Sequence, residues 1–160
     1  MTFAQAQGNT EQTLALFRKL AVDQQLALLW FIYTKMGQSI TPAAPGAAEP
    51  AIAEGLFNQI KELSQEEQLK VQRDMLQKTS TEITREYGSL SDNTKLLLWY
   101  RLAQGMDEGS IIPMPKNYQK SDEERDLLAA VETLDFQQQI TFLRKVVAPT
   151  GSDPKSGAGL

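Results

Sequence analysis

Residues 26–37, LALLWFIYTKMG, place the strongest constraint on the fold of this 160-residue chain. Their spacing predicts a helix with one stripe made of Leu26, Leu29, Trp30 and Tyr33. The remaining positions are also largely apolar, and a helix without a polar face is buried on all sides. Gly37 is expected to end this helix. The next residues, QSITPAAPGAAE, are almost uncharged. The segment is therefore expected to pack against a large core or a large apolar ligand.

A second aromatic helix is predicted from Ser91, its N-cap, to Gly109, which ends it. Its apolar stripe consists of Leu96, Trp99, Tyr100 and Ala103, with Met106 one turn further along. The loop that follows, SIIPMPKNY, contains two prolines together with Met114 and Tyr118. Both aromatic helices are thus followed by an apolar, proline-containing loop, which is unusual for a plain helical bundle.

The rest of the chain also predicts helices. Capping residues and prolines mark their starts, at Thr10, Pro50, Ser64, Ser80, Ser121 and Asp135. The helix from Ser64 is highly charged, so its polar faces are expected to be solvated, and the last helix contains Ile140. No strand pattern occurs with hairpin signals around it, so the fold class is all-α, with about seven or eight helices. Residues 1–9 are expected to fray, and residues 149–160 to form a flexible tail after a domain of residues 1–148.

Two residue types that would support catalysis are missing from the composition. The chain has no cysteine and no histidine, which removes thiolate chemistry and the commonest general base and transition-metal ligand. No other set of side chains forms a catalytic constellation, so we expect neither an enzyme nor a metal site. A net charge of −4 without a basic cluster argues against nucleic acid binding. No apolar run is long enough for a transmembrane segment and no signal peptide is visible, so a cytoplasmic protein is expected.

Aromatic stripes have a simpler explanation than ligand binding. Most aromatic side chains on buried helices are core residues, and that reading predicts the same spacing for Trp30 and Trp99. Arg144 is by default a solvated or locally paired arginine. A function from another class fits these features as well, namely a colourless helical adaptor whose proline-rich loops dock a partner. Residue spacing alone does not distinguish a ligand-binding protein from an adaptor.

Several short blocks resemble the N-terminal carotenoid-binding domain of the orange carotenoid protein. They are QLALLWFIYTKMG with AAPGAA, then NTKLLLWY, MDEG, IPMPKNY and QQITFLRK, in this order from residue 25 to residue 145. The chain ends where the linker to that family's C-terminal β-rich domain would begin. It is therefore similar to a stand-alone helical carotenoid protein, the single-domain paralogue of the N-terminal domain.

The resemblance implies two interleaved four-helix bundles with a keto-carotenoid, such as canthaxanthin or echinenone, held between them. The residues that it places along the carotenoid are Leu26, Leu29, Trp30, Tyr33, Ile40, Gly46, Leu96, Trp99, Tyr100, Met106, Met114, Tyr118 and Ile140. It also matches Arg144 to an arginine that contacts partners of the family. A carotenoid is about 30 Å long, comparable to a 20-residue helix, so it would cross most of a domain of this size.

The function implied by the resemblance is photoprotection. The protein would quench singlet oxygen through the bound pigment and carry the pigment in water; the alternative within the family is quenching of excitation energy in the phycobilisome. The implied partners are the carotenoid, a separate donor protein like the family's C-terminal domain, and the phycobilisome at the thylakoid surface. A monomer or weak dimer in the cytoplasm is expected.

Overall fold

The computed structural model describes the backbone of residues 3–40 and 49–153 and the side chains of residues 10–35 and 49–153. These residues form eight α-helices and contain no strand. The helices are α1 (Phe3–Lys19), α2 (Val22–Ile40), α3 (Pro50–Lys61), α4 (Gln65–Gln77), α5 (Glu82–Gly88), α6 (Asp92–Glu108), α7 (Asp122–Thr133) and α8 (Phe136–Val147). The prediction of an all-α fold is confirmed.

The eight helices pack as two groups of four. Helices α1 and α2 each pack against α7 and α8, and α3, α4, α5 and α6 form the second group, in which α3 lies mainly against α6. Helix α2 also packs on α4 and α6, and α8 packs on α6, so the two groups interlock along α2 and α6. The two predicted aromatic helices therefore face each other at the centre of the molecule.

Local capping signals fix most helix starts. The capping boxes at Ser64, Ser121 and Asp135 are all formed, and the Ser91 side chain accepts a hydrogen bond from the backbone N–H of Thr94. Helix α6 ends at Gly109, whose φ of 89° is a left-handed conformation that glycine adopts without steric cost. These starts and stops are set by residues within one turn of each other.

Three predicted helix boundaries are wrong, and the smallest error is in α5, whose N-cap is Thr81 rather than Ser80. Helix α1 begins at Phe3 rather than at Thr10, which is buried within the helix instead of capping it. The residues before Thr10 include alanine and glutamine, which favour helix. Helix α2 continues past Gly37 to Ile40. A glycine inside a helix costs only about 1 kcal/mol relative to alanine, and it did not terminate the helix here.

The tail predicted from residue 149 begins too early, because residues 150–152 are buried against the second bundle. The backbone N–H of Gly151 donates to the Met75 carbonyl (2.7 Å), and that of Ser152 donates to the Thr84 carbonyl (3.1 Å). Gly88 permits this close approach, since a Cβ there would lie 1.9 Å from the Ser152 carbonyl oxygen. The packed domain therefore extends to at least residue 152.

The helices differ from membrane-spanning segments in length and polarity. Within residues 3–40 and 49–153, no helix is long and apolar enough to cross a bilayer.

Helix α4 is less exposed than predicted. The polar faces of this helix were expected to be solvated, but Gln68, Gln72 and Asp74 are buried.

Candidate ligand-binding site

Three cavities lie in series between α2 and α6. The central one, which we call the narrow section, has a volume of only about 10 Å³. Its walls are formed by Leu26, Leu29, Trp30, Tyr33, Gln72, Trp99, Leu102, Ala103 and Met106. A space of this size is at the lower limit of what one water molecule requires, about 10–15 Å³. The two tryptophans thus line a constriction between the two bundles.

A wider cavity lies under the loop after α6 and is called the loop cavity. Its volume is about 210 Å³. It shares Leu26, Gln72 and Met106 with the narrow section, and the loop adds Met114 and Tyr118. Asp23 and Arg73, which form an ion pair at 2.7 Å, also lie on its wall. The lining is mostly aliphatic and aromatic, which suits an apolar molecule.

The third space, the tyrosine cavity, has a volume of about 230 Å³ and lies at the other side of the narrow section. It shares Tyr33 and Ala103 with that section and adds Tyr100, whose ring centroid lies 5.9 Å from that of Tyr33. Its remaining lining is polar and consists of Thr34, Gln104 and Asp107. The series therefore has one apolar and one polar end.

Helix α2 runs along the whole series. The residues of α2 that line the three cavities extend from Asp23 to Thr34, a distance of about 16 Å along the helix axis at 1.5 Å per residue. The cavities are therefore arranged lengthwise between two long helices, which is suited to an extended molecule rather than a compact one.

The loop that covers the loop cavity is held by a buried glutamine that sequence patterns did not single out. The Gln68 amide nitrogen donates to the carbonyl of Ser110 (3.1 Å) and, at 3.3 Å, to those of Lys61 and Leu63. Its amide oxygen accepts from the backbone N–H of Ile112 (2.8 Å). One side chain on α4 thus fixes the start of the loop that carries Met114 and Tyr118. Because Gln68 is one polar residue among many on a highly charged helix, the sequence pattern did not indicate this role.

Tyr118 anchors the far end of the same loop. Its hydroxyl donates to the Glu124 carboxylate at the start of α7, and its ring lies 6.1 Å from that of Phe31 on α2. Burial and the adjacent Glu124 carboxylate raise the pKa of Tyr118 above the usual value of a tyrosine. Tyr118 therefore keeps its proton and remains a hydrogen-bond donor at neutral pH.

The α6 wall of the narrow section is fixed by a chain of hydrogen bonds. The Trp99 indole N–H donates to the Tyr87 hydroxyl (2.7 Å), which in turn bonds the Thr150 hydroxyl (2.6 Å). The buried Lys95 ammonium lies 5.2 Å from the Tyr87 ring centroid and donates to the carbonyls of Ala148 (3.0 Å) and Thr150 (2.9 Å). Burial raises the pKa of Tyr87 and lowers that of Lys95.

The α2 wall makes fewer hydrogen bonds than the α6 wall. The Tyr33 hydroxyl donates to the Leu96 carbonyl (3.0 Å), and burial raises the pKa of Tyr33 far above the ordinary value. The Trp30 ring packs against Phe31 with ring centroids 5.1 Å apart. The Trp30 indole N–H is buried, and no acceptor lies within hydrogen-bond distance of it among the described residues. The two tryptophans of the narrow section therefore have different surroundings.

Most residues assigned by the resemblance lie along the three cavities. Those with lining side chains are Leu26, Leu29, Trp30, Tyr33, Trp99, Tyr100, Met106, Met114 and Tyr118. Leu96 and Ile140 are buried core residues that line none of these three cavities. Gly46 lies outside the described residues, as does the side chain of Ile40. Arg144 is half-buried, and its Nε donates to the Asn93 amide oxygen (2.9 Å).

The site offers shape and apolar surface rather than reactive groups. Within the part of the chain that the structure describes, no group of histidine, cysteine or acidic residues could hold a metal ion. The tyrosines with raised pKa values are hydrogen-bonded to Leu96, Thr150 and Glu124 and are not positioned as bases. The fold and the site together define a helical protein with a lengthwise, mostly apolar site between two bundles, which suits an extended apolar ligand.

The particular family follows from comparison with known proteins. The family model described as "Orange carotenoid protein, N-terminal" matches residues 3–153. The "Orange carotenoid-binding domain-containing protein" of Nostoc sp. (strain PCC 7120) is 53% identical over 142 residues, which are 89% of this chain and 83% of that protein. The chain therefore belongs to the family of the N-terminal domain of the orange carotenoid protein. This is a carotenoid-binding family rather than a family of enzymes.

Solved structures agree with this assignment. The Red Carotenoid Protein of Anabaena (Nostoc) sp. PCC 7120, in a structure binding canthaxanthin, superposes with a TM-score of 0.82 at 49% identity. The superposition covers 90% of this chain and 99% of that one. The Orange Carotenoid Protein of the same organism, also binding canthaxanthin, has a TM-score of 0.80 at 38% identity and matches 96% of this chain over 52% of its own.

The extent of the match differs between relatives. The "Orange carotenoid-binding protein" of Limnospira maxima is 40% identical over 141 residues, which are 88% of this chain but only 44% of that protein. The chain thus spans less than half the length of this relative and most of the length of the Nostoc relative.

Proposed function

We propose that this chain binds one keto-carotenoid without a covalent bond, quenches singlet oxygen through it and carries it in water. The observation that supports this most directly is the series of cavities between α2 and α6, in which Trp30 and Trp99 line one narrow section. Family membership supplies the ligand class, since a related red carotenoid protein binds canthaxanthin. Canthaxanthin or echinenone is the ligand we expect.

The described residues fit part of such a molecule. The series extends about 16 Å along α2, roughly half of a carotenoid that is about 30 Å long, so the ends of the ligand would reach beyond the three cavities. The narrow section is too small for a polyene, and side chains such as Leu29 and Trp30 would have to move apart on binding. Its apolar lining and buried indole N–H are compatible with an apolar ligand that has an oxygen acceptor.

The protein's task in this function is to hold and shield the ligand. A bound carotenoid would supply a low-lying excited state that takes up energy from singlet oxygen and releases it as heat. Leu26, Met106 and Met114 provide apolar surface, worth about 25 cal/mol for each Å² removed from water. Trp30 and Trp99 add aromatic contacts of about 1 kcal/mol each. No proton transfer or bond formation by a side chain is required.

Expression in a carotenoid-producing host tests the binding step. We expect a coloured protein with a visible band shifted to the red of the free pigment. Trp30→Ala and Trp99→Ala should retain less pigment per folded chain than the wild type. Phe136→Ala is the matched control, because Phe136 is an exposed aromatic residue at the start of α8, outside the cavities. A folded but colourless wild-type protein would contradict the proposal and favour the helical adaptor with proline-rich docking loops.

Two further measurements separate the photoprotective roles. The decay of singlet oxygen luminescence should be faster with the pigmented protein than with the same protein without pigment. Purified phycobilisomes should keep their fluorescence when the pigmented protein is added. A loss of fluorescence that Arg144→Glu prevents would instead support phycobilisome quenching with Arg144 as a partner-binding residue. A separate carotenoid donor, like the family's C-terminal domain, is also proposed and is tested by pigment transfer on mixing.

A further inference from the structure

An ion pair that is open to solvent borders the loop cavity. The Arg73 side chain donates from Nε to one carboxylate oxygen of Asp23 (2.7 Å) and from Nη2 to the other (3.0 Å). Both residues line the loop cavity, and the side chains of Arg73 and Asp23 are 40% and 60% exposed. Residues that line a cavity and also contact solvent lie at its mouth. The mouth of the loop cavity is therefore bordered by a bidentate ion pair.

This ion pair joins the two groups of helices. Asp23 lies in the first turn of α2, and Arg73 lies on α4. The narrow section is too small for a polyene, so a ligand can pass between α2 and α6 only when the two groups move apart. An ion pair between α2 and α4 opposes that movement. The ion pair between Lys35 and Glu132 (2.8 Å), in contrast, joins α2 to α7 within one group.

The loop on the other side of the cavity is held more firmly. Its start is fixed by Gln68, whose buried amide oxygen accepts from the Ile112 N–H (2.8 Å). Its far end is fixed by the Tyr118 hydroxyl, which donates to the Glu124 carboxylate. An exposed ion pair contributes little by comparison, because water and salt stabilise its two charges when they separate. The border formed by the ion pair is therefore the one that opens most easily.

Of the two ends of the series, the loop cavity is the easier entrance for an apolar ligand. Its lining includes Leu26 and Met114, whereas the lining of the tyrosine cavity includes Thr34, Gln104 and Asp107. Removing water from polar side chains costs free energy, and an apolar ligand makes no hydrogen bonds that would compensate for it. Entry through the loop cavity avoids most of this cost.

We propose that the Asp23–Arg73 ion pair is a gate at the mouth of the loop cavity, through which the carotenoid enters and leaves the site. This inference rests on the proposed carotenoid-binding function and adds a route of exchange to it. A carotenoid has a ring at each end that is bulkier than the polyene between them. Separation of Asp23 and Arg73 widens the mouth for a ring to pass, and their pairing narrows it again around the thinner polyene.

The rate of pigment release tests the gate. Pigmented protein is mixed with an excess of phosphatidylcholine vesicles, and the loss of its red-shifted band is followed. Asp23→Asn and Arg73→Gln should each release pigment about threefold faster than the wild type, a ratio that corresponds to about 0.7 kcal/mol and lies within the range of an exposed ion pair. Exchanging the two charges, by Asp23→Arg with Arg73→Asp, should give slower release than either single variant. Lys35→Gln is the matched control, because it breaks an ion pair of similar length and exposure that lines none of the three cavities.

Ionic strength provides a second measurement on the same proteins. Salt screens the attraction between exposed charges, so sodium chloride should accelerate release from the wild type. Release from Asp23→Asn should not accelerate, because the attraction that salt weakens is already absent. Equal salt dependence of the two proteins would count against the gate.

A reversible link tests the gate by closing it. The chain has no cysteine, so Asp23→Cys with Arg73→Cys introduces the only two thiols. After pigment loading, a short bis-methanethiosulfonate reagent joins the two thiols through disulfides. Release should nearly stop in the linked protein and resume when a reductant removes the link. The same link between Lys35→Cys and Glu132→Cys should leave the release rate unchanged.

The remaining outcomes separate the gate from the function on which it rests. If the wild type binds no pigment, the carotenoid-binding function and the gate both fail. If the wild type binds pigment, but neither the single variants nor the link between positions 23 and 73 changes its release, the function stands and the gate is refuted. If a link between Thr34→Cys and Gln104→Cys stops release and the link between positions 23 and 73 does not, the ligand leaves through the tyrosine cavity instead.

Discussion

The two walls of the narrow section are built on different principles. On the α6 wall, Trp99 is held by Tyr87, which is bonded to Thr150, while the buried Lys95 joins the same cluster to the end of α8. On the α2 wall, Trp30 contacts Phe31 and makes no hydrogen bond through its indole N–H to any described residue. One wall is thus hydrogen-bonded to two other segments of the chain, α5 and residues 147–150, and the other is held mainly by apolar packing.

This difference suggests a division of roles. Buried hydrogen-bond networks rigidify a structure when all their members are satisfied, and they are costly when one member is removed. Substitutions on the α6 wall should therefore act mainly on stability, and substitutions on the α2 wall mainly on the ligand. Matched pairs of substitutions, one on each wall, test this difference between the walls.

The largest effect is expected for the pair of lysines. Lys95 is buried and donates to the carbonyls of Ala148 and Thr150, so Lys95→Met removes the side-chain donor of both acceptors. We expect the free energy of unfolding to fall by about 3 kcal/mol, measured by urea denaturation of the pigment-free protein. The control is Lys120→Met, since the Lys120 ammonium lies 4.5 Å from the Phe31 ring centroid on the other wall. Its loss should cost under ~1 kcal/mol, and equal losses would refute the division of roles.

The tryptophan pair should give the next largest difference. Trp99→Phe removes the buried indole N–H that donates to the Tyr87 hydroxyl, and it leaves a small cavity. We therefore expect the free energy of unfolding to fall by about 2 kcal/mol. Trp30→Phe removes a donor that makes no bond within the described residues, and its loss should be at most ~1 kcal/mol. Thermal and urea unfolding of both variants measure this order. A larger loss for Trp30→Phe would mean that the α2 wall is the more firmly fixed one.

Alkaline pH should affect both walls, because burial raises the pKa of Tyr33 on one and of Tyr87 on the other. The folded state therefore holds these protons more tightly than the unfolded state, and stability falls as the pH rises above roughly 10. Each tyrosine can contribute a slope of up to about 1.4 kcal/mol per pH unit. Burial lowers the pKa of Lys95, so the unfolded state binds this proton more tightly than the folded state. The contribution of Lys95 to the free energy of unfolding therefore rises with pH, up to roughly pH 10.4.

Urea denaturation at a series of pH values measures these slopes. Tyr33→Phe and Tyr87→Phe should each make the decline above roughly pH 10 less steep, because each removes one group with a raised pKa. Titration of tyrosinate absorbance should show delayed ionisation until the protein unfolds. If both variants decline as steeply as the wild type, neither tyrosine is responsible for alkaline unfolding.

Sequence patterns predicted the α2 wall better than the α6 wall, for a physical reason. The stripe from Leu26 to Tyr33 follows from helical spacing, which is local, and each capping box lies within four residues. Lys95 and Thr150 gave no signal, because their roles arise from contacts about 50 residues apart in the chain. Gln68 was missed likewise, since its partner Ile112 lies on a distant loop. The family resemblance was confirmed, and its assignment of Ile140 to the ligand stays a prediction, because this buried residue lines none of the three cavities.

The smallest expected difference is between two threonines, and it tests how far the α6 network extends. The Thr150 hydroxyl bonds Tyr87 and donates to the Val147 carbonyl, so Thr150→Val should cost about 1 kcal/mol. Thr34→Val on the α2 wall removes only an exposed bond to the Trp30 carbonyl (2.8 Å), with an expected change within ~0.5 kcal/mol. Both substitutions preserve shape, and urea denaturation resolves a difference of this size. Indistinguishable values would mean that the network ends at Tyr87 and that residues 150–152 are held by their backbone hydrogen bonds and by the bond between the Ser152 and Thr84 hydroxyls.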